Sequence, residues 1–421
     1  MIWPDYVSSK NSFAINKPQI RFKGFEDEWS QGTFGDVCTV YDGVHQTPHY
    51  TDSGVMFVSV ENIKTLQSNK FISLEDFKSD FNVVPEQNDL LMTRIGDIGT
   101  ANIVQSNEPL AYYVSLALLK SPSIDSFFFK SSIGCPDTKR ELWKRTLHIA
   151  FPKKINKNEI SLVGIKFPGT SEQKCIGNYF KQIDEMIAEA EQEVSRLEKM
   201  KQASLQKMFP RPGATAPEIR FDGFTEPWFD RKISDCASFS RGQGYTKNDL
   251  RESGTPIFLY GRLYTKYSTY VDSVDTYSFV APYSVISKGN EVIMPSSGET
   301  AEDIAVASAI LAKGIILSGG LNIIIPNNDI DQVFLALSLT FSHAHYELAK
   351  KAQGKSVVHI YNQDIADLTI SCPPTLDEQK AIGEYFRNLD SLLSAKRQKL
   401  VKLRNIKQAC LDKMFVNTSD L

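Results

Sequence analysis

No apolar run of 18 residues occurs anywhere in the 421-residue sequence, so no membrane-spanning helix is expected. No basic region followed by an apolar run and a cleavage site lies near Met1, and the chain is expected to stay cytoplasmic. Cysteine is sparse. The six cysteines stand at 38, 135, 175, 236, 372 and 410 with no C-x-x-C pair, so neither a disulfide framework nor a zinc site is expected; buried free thiols are. Basic charge is not in excess either, the formal net charge being -3. That argues against a protein that coats nucleic acid unaided, and any DNA binding must use local patches or a partner.

Catalytic signatures are missing too. There is no G-x-G-x-x-G or G-x-x-x-x-G-K-[ST] phosphate loop, no H-E-x-x-H metal helix, no G-x-S-x-G nucleophile elbow and no Asp-Pro-Pro-Tyr or Asn-Pro-Pro-Tyr string of an adenine methylase. Gly242-Gln243-Gly244 and Gly96 to Gly99 read as turn glycines, and Pro136-Asp137 as a turn. His45 and His49 are four apart, but Thr47-Pro48 between them rules out the regular helix that would aim both at one metal. His343 and His345 are two apart on an expected helix and point to different sides. Catalytic residues, cofactor and metal are therefore all expected to be absent. A two-lobed enzyme with its site between the lobes stays as an alternative, though no acid, base or nucleophile set supports it.

What the sequence does have is a repeat. Ser171 to Phe209 returns 206 positions later as Asp377 to Phe415, with 17 identities in 39 ungapped positions. Apolar residues recur at spacings of three and four: Ile176, Phe180, Ile183, Ile187, Val194 and Leu197 in one copy, Ile382, Phe386, Leu389, Leu393, Leu400 and Leu403 in the other. This is the seam of a coiled coil. It is interrupted at equivalent places, by Ala190 and Lys396, Lys201 and Lys407, Ser204 and Cys410. The first copy carries Glu185, Glu189, Glu191 and Glu193 through its middle; the second carries Lys396, Arg397, Lys399, Lys402 and Arg404. Antiparallel helices would bring those clusters together and disfavour self-pairing.

The repeat unit is larger than the helix. PQIRFKGFEDEW at 18–29 recurs as PEIRFDGFTEPW at 217–228, directly after the Pro/Gly break at 210–215. Residues 1–17 read as a loose polar lead-in. The expected organisation is α+β with a pseudo-twofold internal repeat. It consists of two mixed α/β globular recognition domains, 1–170 and 210–376, separated by two long antiparallel coiled-coil helices, 171–209 and 377–421. The bodies are unlike on a like frame, which suggests a bipartite reader. A helix is expected in the second body from Ile330 to about Gln353.

Hydrogen-bonding loops are the candidate contacts. YDGVHQTPHY at 41–50 offers His45, Gln46 and Thr47, and SRGQGYTK at 240–247 offers Arg241, Gln243, Tyr245, Thr246 and Lys247. Arg matches the guanine edge and Gln the adenine edge, each with two groups against two. Arg94 before the glycine turn, Arg262 after an apolar strand, and Ser296, Ser297 and Thr300 around the second body's turn complete the set.

With these motifs in place, the chain resembles the specificity subunits of Type I restriction-modification systems over nearly its whole length. TSEQKCIGNYF and LDEQKAIGEYF, each following proline and entering a helix that ends in KMF, are similar to that family's helical repeat. YDGVHQTPHY, FVSVENI, LLMTRIGDIGTANIV and VIMPSSGETAEDIA resemble strings of its recognition domains, with Val44 where the family often has Thr. The resemblance implies a subunit without catalytic activity, whose target-recognition domains each read half of an asymmetric bipartite site on double-stranded DNA. It also implies two methylase subunits as partners, which bind S-adenosylmethionine and methylate adenine, with restriction subunits able to join. An orphan or stand-alone bipartite DNA-binding protein is the alternative within that class.

Overall fold

The computed structural model describes residues 16–354 and 357–416. The lead-in expected over 1–17 lies outside the described residues as far as residue 15. The chain divides into two compact units, one of residues 1–191 with 398–421 and the other of 192–397. Each unit therefore contains one body and a length of both long helices.

Those helices run Thr170–Lys207 and Leu376–Lys413. At about 1.5 Å per residue each is about 57 Å long. Both begin in the same way. Gln173 accepts from the Asp125 backbone N–H at 3.0 Å and donates to the Pro168 carbonyl at 2.8 Å; Gln379 accepts from Asp331 N–H at 2.8 Å and donates toward Pro373. Glu172 and Glu378, the preceding residues, are almost fully buried against Arg21 and Arg220. The identical Glu-Gln pair thus stitches each helix start to its own body.

In the first unit, Trp29 packs edge-on against Phe128 and Phe415 at 5.8 and 5.9 Å, with Phe180 5.7 Å from Phe415. In the second, Trp228, Phe334 and Phe209 form the matching cluster at 5.8 to 6.3 Å. The Met-Phe that ends each long helix therefore enters the core of a body: Met414 and Phe415 the first, Met208 and Phe209 the second. Burial of each such side chain contributes about 1.5–3 kcal/mol. The aromatic segments follow suit, with Ile20 N–H donating to Lys413 O and Ile219 N–H to Lys207 O, both at 2.9 Å.

Apart from the buried Ala190, the interruptions of the apolar seam enter polar pairs that cross between the helices. In the first unit Lys407 meets Asp184 at 2.6 Å, Arg404 meets Glu191 at 2.6 Å, and Tyr179 Oη lies 3.5 Å from Cys410 Sγ. In the second Lys201 meets Asp390 at 2.5 Å, Lys396 meets Glu193 at 2.6 Å, and Ser204 Oγ bonds Tyr385 Oη at 2.8 Å. Residue numbers rise on one helix as they fall on the other, so the segments are antiparallel within each unit. The basic cluster of the second copy faces the acidic cluster of the first, as the charge pattern required. Leu197, Leu389 and Leu393 fill the apolar seam of the second unit.

Each body is closed by an antiparallel pair of its first and last strands, Ser30–Thr33 with Gly164–Phe167 and Phe229–Lys232 with Thr369–Cys372. The first body holds an antiparallel sheet of Thr39–Asp42, Leu116–Lys120, Leu90–Thr93 and Ala101–Ile103, and a second four-stranded sheet in which Val55–Val58 runs parallel to Leu110–Tyr112. The second body holds a five-stranded sheet centred on Glu291–Pro295 and a four-stranded one containing Thr255–Phe258 and Lys313–Leu317. The central strands are buried on both faces, hence the apolar runs at 90–92 and 292–294 within them.

Three expectations need correction. Pro136-Asp137, read as a turn, opens the helix Pro136–Lys144. The helix expected from Ile330 to about Gln353 is two helices, Gln332–Phe341 and His343–Lys351. Ser342 breaks it: extended there, it donates its hydroxyl to Ser338 O at 2.6 Å and caps Ala344 N–H at 3.2 Å. The six thiols are free, but only Cys38, Cys135, Cys236 and Cys372 are buried; Cys175 is exposed and Cys410 half-buried. Among the described residues no helix is long and apolar enough to cross a membrane.

Candidate nucleic-acid interface

In the first unit the strand Thr39–Asp42 runs into the loop at 43–50. Gly43 starts that loop because nothing larger fits: a Cβ there would lie 2.4 Å from the Tyr112 carbonyl. Val44 is held by its backbone, accepting from Val114 N–H at 3.0 Å and donating to Tyr112 O at 3.2 Å. The next three side chains, His45, Gln46 and Thr47, are exposed.

Arg94 lies at the root of the same loop but is buried. Its guanidinium pairs with Asp42 and donates from Nε to Ile155 O at 3.0 Å. Burial lowers its pKa from the ordinary arginine value. Its observed contacts make it the tie between the loop's stem and residues 153–155, and its charge is committed inside the fold.

In the second unit five segments meet. Arg241 ends the strand Ala237–Arg241, is exposed, and lies 5.6 Å from the ring of Tyr361. Tyr361 in turn stacks on His359 at 6.3 Å with 17° between planes. Asn362 fixes the same place by donating to Ser240 O at 2.9 Å. Gly242 lets the chain cross the turn at 317–320, where a Cβ would come within 2.0 Å of Ser318 O. Gln243 follows, exposed. Ser296 N–H donates to Gly320 O at 2.8 Å, and Ser297 pairs in a short ladder with His359 while its carbonyl accepts from Tyr264 Oη at 2.6 Å. Arg241, Gln243, Ser296 and Ser297 are thus brought to one loop cluster.

The remaining candidates have partners of their own. Tyr245 is buried, donating to Phe279 O at 2.8 Å and accepting from Ala281 N–H at 3.0 Å, so it anchors its loop. Thr246 shares Asp249 in a capping box ahead of Lys247, which is exposed. Arg262 pairs with Asp275, which Lys266 also meets at 2.5 Å; these two cations hold the Asp275 carboxyl far below its usual range. Thr300 caps the short helix Ala301–Ile304, bonding Asp303 twice, at 2.7 and 3.1 Å.

Sequence reasoning missed the aromatic part of this cluster: Tyr260, Tyr264, Tyr283 and Tyr361, all exposed and, for Tyr260 and Tyr283, packed over Gly320 and Gly244. A signal was present. YGRLYTKY at 260–267 alternates aromatic and basic residues, a composition suited to stacking and phosphate contact.

Residues 225–405 match the family model described as the Type I restriction modification DNA specificity domain. The chain is 19% identical over 367 residues to the Type I restriction enzyme MjaVIII specificity subunit of Methanocaldococcus jannaschii, a match that covers 85% of this chain and 84% of that one. The crystal structure of a Type-I restriction-modification system S subunit from M. genitalium shares the fold with a TM-score of 0.64 at 14% identity, over 95% of this chain and 99% of that one. Matched by that model over residues 225–405, by a curated specificity subunit along most of its length, and by a solved S subunit in its fold, the chain is similar to the specificity subunits of Type I restriction-modification systems.

Proposed function

We propose that this chain is the sequence-reading subunit of a Type I complex. Each body reads one half of an asymmetric bipartite site on double-stranded DNA, and the long helices set the unread gap. The observation that carries this is the contrast between a duplicated frame and unlike reading ends. Arg21–Glu172 recurs as Arg220–Glu378 and Asp184–Lys407 as Asp390–Lys201. The loops at 43–50 and 241–247 share no such match. A frame whose principal ion pairs are copied holds two readers that differ, as two different half-sites require.

Within that reading, His45, Gln46 and Thr47 contact the first half-site, and Arg241, Gln243, Ser296 and Ser297 the second. Arg94, Tyr245, Thr246, Arg262 and Thr300 hold the loops in shape, and Lys247 meets phosphate. The chain itself is non-catalytic. Two methylase subunits dock on it, bring S-adenosylmethionine and methylate an adenine in each half-site. The modest net charge suits a subunit whose partners supply much of the phosphate contact.

The test is genome-wide mapping of methylated adenine in cells given this chain with a neighbouring methylase, against cells given the methylase alone. A new split motif marked on both strands is the expected result. No new motif, with both proteins present and associated, would refute the assignment.

A further inference from the structure

The most exposed apolar side chains of the described residues stand on one finger of the first unit. Ile149 is 99% exposed and Phe151 103%, more than any other large apolar residue described. Two apolar side chains held fully in water two residues apart are costly unless something covers them. The finger is anchored at its base. Leu147 N–H donates to Lys154 O at 2.7 Å, and Trp143 packs both on His148, with ring centres 4.4 Å apart, and under the Lys153 ammonium at 4.3 Å. The stem is built, and the tip is bare.

Its surroundings indicate what covers it. The stretch 143–158, WKRTLHIAFPKKINKN, carries five Lys and Arg and no carboxylate in a chain whose net charge is -3. Lys144 and Arg145 are met by Glu141 and Glu159 at the stem. Among the described residues no carboxylate meets Lys153 or Lys154, which follow the tip. The finger also grows from the reading loop's own root: Gly96 N–H donates to Lys153 O at 2.8 Å, Ile155 N–H to Arg94 O at 3.0 Å, and Arg94 pairs with Asp42. An apolar tip followed by two lysines, rooted beside a DNA-reading loop, has the composition of a wedge that enters a duplex and unstacks a base step.

We infer that Phe151, backed by Ile149, inserts into the DNA at the half-site read by the first body and opens one base step there. This rests on the reading given under Proposed function and adds a bend to it. Unstacking has a cost, offset by the contacts that the bent duplex makes with the lysines beside the tip. Among its described residues the second unit exposes no pair of apolar side chains to this extent, so the distortion should be confined to one half-site.

The test uses the assembled complex of this chain with its methylase, on a duplex that carries the mapped split motif with 2-aminopurine placed in turn at each step. Apart from the target adenine of each half-site, which the methylases extrude, wild-type complex should brighten one further step in or beside one half-site, and none at the other. Phe151→Ser should abolish that signal and weaken binding by roughly 5- to 150-fold, the worth of one stacking contact. Phe151→Leu, still apolar, should keep most of the signal and shows that the finger tolerates substitution. A wild-type complex that binds and methylates but brightens no step beyond the two target adenines would overturn the wedge alone, as would an undiminished further signal in Phe151→Ser. Loss of methylase association in Phe151→Ser would also overturn it, by assigning the tip to a protein contact. Failure of the wild-type complex to bind the motif would overturn the underlying reading, and the wedge with it.

Discussion

Arg220 grips Glu378 with both arms of its guanidinium, Nε to Oε1 at 2.7 Å and Nη2 to Oε2 at 2.8 Å, and the carboxylate is 1% exposed. Trp228 Nε1 donates to the same carboxylate at 3.1 Å. The glutamate thereby joins the aromatic segment to the start of the second long helix, as Glu172 does with Arg21 in the first unit. Removing one partner of a buried pair leaves the other charge uncompensated. Glu378→Ala should therefore destabilise the second unit by about 3–5 kcal/mol, read as a lowered urea midpoint. A loss below about 1 kcal/mol would place the pair among ordinary surface bridges.

Asp184 gives the first unit a pH dependence. Burial raises its pKa, but Lys130 at 3.0 Å and Lys407 at 2.6 Å outweigh this and hold the carboxyl below its ordinary value. A carboxylate with a depressed folded pKa contributes stability above its unfolded pKa of about 4, and that contribution is lost as pH falls through the folded value. Stability should thus decline below about pH 4, and Asp184→Asn should be less stable at neutral pH and lose that part of the decline. Denaturation curves of the two proteins across this range decide it. Parallel pH profiles would show that the two lysines do not act on Asp184 as described.

Arg241 and Gln243 flank a glycine whose Cβ would come within 2.0 Å of Ser318 O, so the backbone between them is held against the turn at 317–320. The double variant Arg241→Ala, Gln243→Ala should relax base preference in one half-site only, by about 1–3 kcal/mol for each bidentate pairing with a base edge that is removed. Binding to duplexes altered in one half at a time measures this. Uniform weakening on every duplex, with a shallower salt dependence, would identify phosphate contacts instead.

The frame was legible because its contacts fall on identical residues. Glu172 and Glu378, Gln173 and Gln379, Asp184 and Asp390 repeat at one offset, and each makes the same bond. The polar seam positions were legible as interruptions, since Lys201 and Lys407 break an apolar period, but their partners Asp390 and Asp184 lie 189 and 223 residues away and no local pattern names them. The loop cluster was legible only in part. Arg241 and Gln243 carry base-matching groups, whereas Tyr361 and His359 reach the cluster through a strand pairing with Ser297 that sequence spacing does not encode. Arg94 shows the converse limit. An arginine beside a glycine turn reads as a contact, and the carboxylate that claims it lies 52 residues earlier.

The helices can be lengthened without touching either body. The ion pairs Arg404–Glu191 and Lys407–Asp184 belong to one unit, and Lys396–Glu193 and Lys201–Asp390 to the other. Four residues inserted after Glu191 and four after Arg397 therefore leave every one of these pairs within an unchanged segment. Four residues add about 6 Å of helix and turn it by little more than one full turn, so each apolar seam resumes on nearly the same face. Against about 3.4 Å per base pair the gap should grow by about one to two base pairs, the upper figure holding when the helices run along the duplex axis. Methylation mapping of the variant should return both half-site sequences unaltered and a wider gap between them. An altered base in either half would mean that the helices help to shape the readers, and an unaltered gap would mean that something other than helix length sets the spacing.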